Sequence, residues 1–212
     1  PDYSVRVSVL DFDEFPASHE EQEPLVRFRL RKVVPYDLDS AKLSFHAKRL
    51  KTGAFAVVAA VCPIHILAEY ETLMRQQRCH AGMVTSSTLA AISLVPPDGI
   101  SVLAKQSGNV TTVAVCQEGT VRMVRTVEMF EVSWNELLGL LHPTFATVED
   151  NLGSRVDRLW ICGFQDSPDA MVESLQQEFG VPVAPLTSRF GTPTALTTGT
   201  LGYVQGILEV SA

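Results

Sequence analysis

Arg27, Arg29, Arg31 and Lys32 fall within six residues of one another, in a chain whose formal net charge is -7. Such a cluster on an acidic protein is suited to gripping an acidic or polar partner, contributing steering and orientation more than raw affinity. Arg27 and Arg31 are four apart and so share one helix face, while the spacing of Phe28 from Leu25 points Phe28 toward the core. A solvated helix face is the other account of such a charge run. Other chemistry is not indicated. Asp11/Asp13 and Asp37/Asp39 read as turn-supporting carboxylates, because Asp bonds its own backbone in turns. The five histidines never pair at metal-ligand spacing, and the adjacent Cys79 and His80 are poorly placed to chelate together. There is no G-x-x-x-x-G-K-[ST], G-x-G-x-x-G or G-x-S-x-G motif. No catalytic residue and no metal site is expected.

At 212 residues the chain can bury a substantial core, in one domain or two closely joined ones. Hydrophobic residues make up 46 % and charged ones 19 %, an ordinary globular balance. With 17 basic against 24 acidic residues, a broad nucleic-acid surface is disfavoured, since it must neutralise many phosphates. Cys62, Cys79, Cys116 and Cys162 lie far apart without C-x-x-C spacing, which suits reduced, mostly buried thiols in a cytoplasm. A membrane-spanning helix needs roughly 20 predominantly apolar residues. Residues 52–68 are interrupted by Pro63 and His65, and residues 79–97 are rich in Ser and Thr and broken by Gly82. No span and no signal peptide are read. The chain begins at Pro1 without a methionine, so a native amino terminus further upstream is expected.

Several elements are needed to position these residues. Residues 3–10 (YSVRVSVL) alternate polar and apolar as a half-buried strand does. A basic helix follows over 24–34. Ser18 and Glu21 carry the S-x-x-E spacing of a capping box, and Pro35 ends the helix by forcing extended geometry before it. Residues 42–50 and 54–62 (AFAVVAAVC) read as strands, giving β-α-β-β over the first 62 residues. Pro63 opens a helix through Arg78, with Ile64, Leu67, Ala68, Tyr70 and Met74 near helical spacing and Gly82 as its stop. Residues 83–94 suit a short strand and a small-residue helix.

Strands are expected at 100–104, 110–116 and 120–128, the last two joined by a tight turn at Gln117-Glu118-Gly119. Pro143 should kink or divide a helix over 133–151. A buried strand at 158–162 precedes a helix entered at Ser167-Pro168. That helix buries Met171, Leu175 and Phe179 and stops at Gly180. A strand at 181–185 and a helix over 194–210 complete the chain. The Gly202-x-x-x-Gly206 spacing in the last helix marks close internal packing.

Residues 24–45 (PLVRFRLRKVVPYDLDSAKLSF), a basic helix ending in K-x-x-P-[YF] and then D-x-x-x-x-x-L-x-F, resemble the actin-like pilus assembly protein PilM and its relatives in type II secretion and cell division. The resemblance continues in order. Ala81-Gly82-Met83 matches the family's A-G-[ML] turn, and Thr111-Thr112, Gly119 and Arg125-Thr126-Val127 match its threonine strand pair. Leu159 through Gly163 match a strand ending at glycine, Phe179-Gly180-Val181-Pro182 match a further turn, and a small-residue helix closes the chain. The resemblance implies an α/β, actin-like (ribonuclease H-like) fold, partial, with an inserted β-α-β-β module. The implied organisation is that module at 1–62, the rest of the first subdomain at 63–98, and a second subdomain with the carboxy-terminal helix at 99–212.

The resemblance also implies a nucleotide cleft, and there the chain departs from the pattern. The first phosphate loop, an early D-x-G turn, has no counterpart. The second corresponds to AKQSGNVTT (104–112), which keeps Gly108, Thr111 and Thr112 but offers no carboxylate for magnesium. The adenine-side glycine pair reads Gly163-Phe164, and phenylalanine obstructs the close approach that glycine allows. The segment between Met129 and Arg158 is short for the subdomain that covers a nucleotide.

Gly108, Thr111, Thr112 and Gly163 are therefore expected to be vestigial. The expected function is a non-catalytic, cytoplasmic scaffold of a type IV pilus or type II secretion platform, held at the inner membrane through partners, without bound cofactor. The implied partner is the cytoplasmic tail of a PilN-like membrane protein. PilM-like proteins hold it in a groove between the inserted module and the adjoining actin-type subdomain, with Arg27, Phe28, Arg31 and Lys32 as the candidate contacts here. Homo-oligomerisation is compatible with this. The alternatives are an ATP-binding switch whose phosphate loop lies upstream and an unrelated small-molecule-binding α/β domain.

Overall fold

A computed structural model describes residues 3–129, 133–164 and 168–210. The chain divides into two compact units, Pro1–Thr85 and Ser86–Ala212.

The first unit is built on β1 (Arg6–Phe12), α1 (His19–Leu30), β2 (Ala41–Arg49), β3 (Phe55–Pro63) and α2 (Ile64–Gln76), the β-α-β-β order read from the sequence followed by a helix. The strands form an antiparallel sheet in the order β1-β3-β2. The most apolar strand takes the centre, where both of its edges are paired. Val26 and Leu30, one turn apart on α1, press on Leu10, Leu43, Val57 and Val61 of the sheet. That stripe decides the fate of Phe28. It lies two residues from each of them, on the far side of a helix with 3.6 residues per turn, and is 60 % exposed. The inward orientation expected for Phe28 is thus corrected.

Helix α1 starts earlier than expected and stops earlier. Glu20 and Glu21 occupy its first turn, where carboxylates meet the positive end of the helix dipole. Pro24 is accommodated inside it. Ser18 stands at the amino-terminal cap but makes no side-chain bond there, so the expected capping box is not formed. Gln22 Nε2 instead donates to the Pro16 carbonyl at 2.7 Å. Beyond Leu30, the amides of Val33 and Val34 both return to its carbonyl. The chain turns, and Tyr36 Oη donates to Val61 O at 2.8 Å, fastening the Pro35-Tyr36 corner to the central strand. Helix α2 ends at Gln76, short of Gly82, and Arg78 just beyond it adopts the left-handed conformation with φ 57°. None of its side chains is buried; Ile64, Leu73 and Met74 are exposed.

The second unit contains α3 (Ser87–Ile92), β4 (Ile100–Ser107), β5 (Val110–Gln117), β6 (Thr120–Glu128), α4 (Trp134–Leu152), β7 (Arg158–Cys162), α5 (Pro168–Phe179), β8 (Val183–Pro185) and α6 (Thr198–Val210). Its sheet order is β6-β5-β4-β7-β8, an antiparallel meander continued by parallel pairing of β4 with β7 and of β7 with β8. Side chains of β4 and β5 alternate between two cores. Val102, Ala104, Val113 and Val115 meet Leu137, Leu141 and Leu175, whereas Leu103, Ala114 and Cys116 meet Ala91, Leu94 and Leu186. Residues 83–86 form no strand. Helix α4 is one continuous helix that Pro143 does not divide, opened by a capping box between Ser133 and Glu136. Near the proline, Thr144 Oγ1 donates to Leu140 O and Thr147 Oγ1 donates to Pro143 O, so hydroxyls supplement the interrupted backbone ladder. The predicted Ser167 cap of α5 lies outside the described residues.

Helices α3 and α6 are in close contact because Gly199, Gly202 and Gly206 present no side chain to Ser87, Ala90 and Ser93. A Cβ at Gly202 would lie 2.6 Å from the Ala90 carbonyl carbon and 3.0 Å from the Ala91 Cα, so the neighbouring helix must move. Gly139 in α4 has nothing within 4 Å of its equivalent position. The two glycines should therefore respond oppositely to alanine in urea unfolding. Gly202→Ala should destabilise by about 1–3 kcal/mol through overpacking. Gly139→Ala should be neutral or stabilise by up to about 1 kcal/mol through helix propensity. Equal responses would mean that the α3–α6 contact is not close.

Candidate functional site

The β4–β5 corner holds residues expected to be vestiges of a phosphate loop, and its polar groups face one another. Ser107 pairs with Val110, leaving Gly108-Asn109 as a two-residue turn. Gly108 has φ 59°, the left-handed first position that a type II′ hairpin turn demands. The neighbouring Gln106 fills the corner. Its Nε2 donates to the Gly108 carbonyl, and its Oε1 accepts from Thr111 Oγ1. Thr111 is fully buried. Thr112 points to the other side of the sheet and lies 3.3 Å, hydroxyl to hydroxyl, from its cross-strand partner Thr126.

Gly163 closes the same corner from β7. It has φ 82°, and a Cβ there would strike the Gln106 carbonyl oxygen and lie 3.3 Å from the Ala195 Cα. The close approach that glycine permits is thus used by the protein's own backbone. Of the four expected cleft residues, Gly108, Thr111 and Gly163 gather around Gln106, while Thr112 does not. Beside them lies an open, mainly apolar depression of about 500 Å³ lined by Cys162, Phe164, Leu186, Pro193 and Leu196 among others. Among the described residues, no group of three or more His, Cys, Asp or Glu side chains is arranged to hold a metal ion.

On the opposite side of β4, Lys105 is 1 % exposed and its Nζ donates to Ser87 Oγ at 2.6 Å. Cys162, its partner in register on β7, lies 2.8 Å from Thr198 Oγ1. Burial pushes the Cys162 thiol up, opposed by the Thr198 hydrogen bond and the Lys105 charge. Burial alone pushes Cys116 up to about 12, and burial raises Cys62 as well. These thiols are held protonated, unlike the low-pKa thiols of redox centres.

On the first unit, His19, Glu20, Glu23, Pro24, Arg27, Phe28 and Arg31 line a shallow, open groove of about 630 Å³ along α1. The cations of this helix divide into two kinds. Arg27 Nε contacts Glu23 Oε1 at 2.9 Å, and its Nη1 donates to Leu38 O at 2.9 Å, tying α1 to the turn before β2. Arg29 lies over the Phe12 ring, 5.1 Å from its centroid. Arg31 and Lys32 are exposed. The sequence spacing correctly puts Arg27 and Arg31 on one row, but it missed Gln106, Lys105 and the Glu23–Arg27–Leu38 tie. Only the i, i+4 spacing of Glu23 and Arg27 signalled the last of these.

No protein-family model matches the sequence, and no curated protein matches it. Among solved structures, the chain is similar to one from the PilM–PilN type IV pilus biogenesis complex. The TM-score is 0.70 at 12 % identity, over 97 % of this chain and 78 % of that one. It is also similar to the cytoplasmic domain of EpsL, an inner-membrane component of the type II secretion system of Vibrio cholerae. There the TM-score is 0.54 at 14 % identity, over 98 % of this chain and 71 % of that one. A Bacteroides thetaiotaomicron protein with an actin-like ATPase fold and unknown function is similar too, with TM-score 0.52 and 13 % identity over 91 % of this chain and 68 % of that one. The chain has the actin-like fold. The fold class implied by the PilM resemblance is therefore the one observed.

Three outcomes are expected here. Gln106→Ala leaves a buried threonine hydroxyl and a turn carbonyl without their partner, and should cost about 1–3 kcal/mol in urea unfolding. A change near zero would mean that water replaces the amide. Among the cysteines, only the exposed Cys79 should be alkylated rapidly in the native state. The raised folded-state values make the native protein bind more protons than the unfolded chain at alkaline pH. The thiols' contribution to stability should thus be intact below about 8.5, the ordinary thiol value. It should decline as pH rises toward about 12. Rapid native labelling of Cys116 would contradict the buried assignment.

Proposed function

We propose that this chain is a non-catalytic, cytoplasmic scaffold of a type IV pilus or type II secretion assembly platform, and that it binds the cytoplasmic tail of a PilN-like membrane protein. The similarity to the PilM–PilN complex and to the EpsL domain supports the assembly role. The absence, among the described residues, of a helix long and apolar enough to cross a membrane is consistent with attachment through partners.

The observation that carries the non-catalytic reading is Gln106. A magnesium–phosphate group needs carboxylate and water ligands on the metal, with free polar groups turned toward phosphate oxygens. Gln106 is uncharged, and both ends of its amide are spent on Gly108 and Thr111. The backbone approach at Gly163 is occupied by Gln106 and Ala195. These residues do not fit Mg-ATP. In this reading, Gly108, Thr111, Thr112 and Gly163 survive as turn, hairpin and packing residues.

The exposed surface of α1 offers the partner site. Phe28 supplies an apolar anchor, and Arg31 and Lys32 supply orienting charge, while Arg27 secures the helix that presents them. A buried aromatic anchor carries more affinity than rim charges do.

Titration calorimetry tests both halves of the proposal. Mg-ATP should give no binding in the micromolar range. The cytoplasmic-tail peptide of a PilN-like membrane protein should bind, and Phe28→Ser should weaken it by about tenfold or more, the cost of a hot-spot anchor. Micromolar Mg-ATP binding would overturn the scaffold in favour of an ATP-dependent switch. Tail binding unaffected by Phe28→Ser would move the partner site away from α1.

A further inference from the structure

Resting on the reading of α1 as a partner surface, we propose that its groove selects a dipolar segment. The segment carries an apolar side chain seated on Phe28 and Pro24, an acidic group directed to Arg31 and Lys32, and a basic group directed to Glu20. The occupant is a peptide segment of another protein, recognised by the order of its charges as well as by its anchor.

Two i, i+4 rows build the groove. One is His19, Glu23, Arg27 and Arg31; the other is Glu20, Pro24 and Phe28, continued by spacing to Lys32. Both rows run from acidic or polar at the helix start to basic at its end. The sign of the surface therefore reverses over the length of the groove, roughly 16 Å from Glu20 to Arg31 at 1.5 Å per residue. About five residues of extended peptide cover that distance at ~3.3 Å each.

Between the two charged ends lies the apolar patch of Phe28 and Pro24, both exposed. Arg27 contributes little to selection, because its guanidinium is already bonded to Glu23 and to the Leu38 carbonyl. Glu23 is spent in the same pair. Selectivity falls to Glu20 at one end and to Arg31 and Lys32 at the other. These are exposed charges, so each contributes modestly to affinity and mainly disfavours a segment with the reverse order.

The test uses the full chain and short synthetic peptides that share a Leu-Phe-Leu centre. One carries lysines before the centre and glutamates after it, a second has the two ends exchanged, and a third has serines at both ends. Amide chemical shifts of the protein report the binding site and the affinity. Because a segment can lie along α1 in either direction, at least one of the two charged peptides should move α1 signals and bind about three- to tenfold more tightly than the serine peptide at low salt. The advantage should shrink as salt screens it.

Arg31→Glu with Lys32→Glu should erase that advantage, while replacing the tighter-binding peptide's glutamates by lysines should restore binding to this variant. Phe28→Ser should abolish binding of every peptide. An unchanged amide spectrum away from α1 shows that each variant is folded. Equal binding of all three peptides, shifts confined to another surface, or failure of the charge exchange to rescue would each overturn the proposal. The tail titration is separate. A tail that binds away from α1 defeats the partner assignment and leaves these peptide results standing. A tail that needs Phe28 but ignores the reversal of Arg31 and Lys32 defeats the charge-order proposal alone.

Discussion

The buried amide of Gln106 is the contact on which the loop end of the second unit depends. It holds the Gly108 turn from inside and receives the hydroxyl of fully buried Thr111. Its own carbonyl occupies the space that a side chain at Gly163 would need. One residue thereby joins β4, β5 and the end of β7. A carboxylate at this position has no N–H to give the Gly108 carbonyl, so the same side chain cannot serve both the turn and a metal ion. The chemistry of the corner follows from that exclusion. At this corner the polar groups of Gln106, Gly108 and Thr111 satisfy one another.

The first unit shows the same economy with charge. The basic run on α1 looks uniform in sequence, yet Arg27 and Arg29 are committed to Glu23, the Leu38 carbonyl and the Phe12 ring. What remains exposed is narrower: Arg31, Lys32 and an aromatic ring turned outward. The outward turn follows from packing. Val26 and Leu30 claim the sheet, and Phe28 cannot share their side of the helix.

The order of elements was legible because local signals agreed. Alternation marked β1, the uninterrupted apolar run marked β3, and Glu118 and Gly119, both with positive φ, made the turn expected between β5 and β6. Glycine spacing foretold close packing of α6 but not that α3 is the neighbour. Signals that depend on distant neighbours were harder to read. The S-x-x-E spacing occurs at Ser18 and at Ser133, and only Ser133 forms the box. The site residues split along the same line. Gly108 and Gly163 were visible as glycines, but the meaning of Gln106 depends on the register that sets it opposite Thr111. Lys105 gave no sequence signal of burial, because its amine is accommodated by Ser87 from a different element.

The central claim is that this actin-like chain acts through a partner surface while its cleft corner is filled by its own groups. Amide hydrogen exchange along the whole chain, measured alone, with Mg-ATP and with the PilN-like tail, tests it most directly. The account predicts that the tail slows exchange along α1 and that Mg-ATP leaves residues 106–112 and Gly163 unchanged. Slower exchange at that corner with Mg-ATP, and none along α1 with the tail, would contradict it.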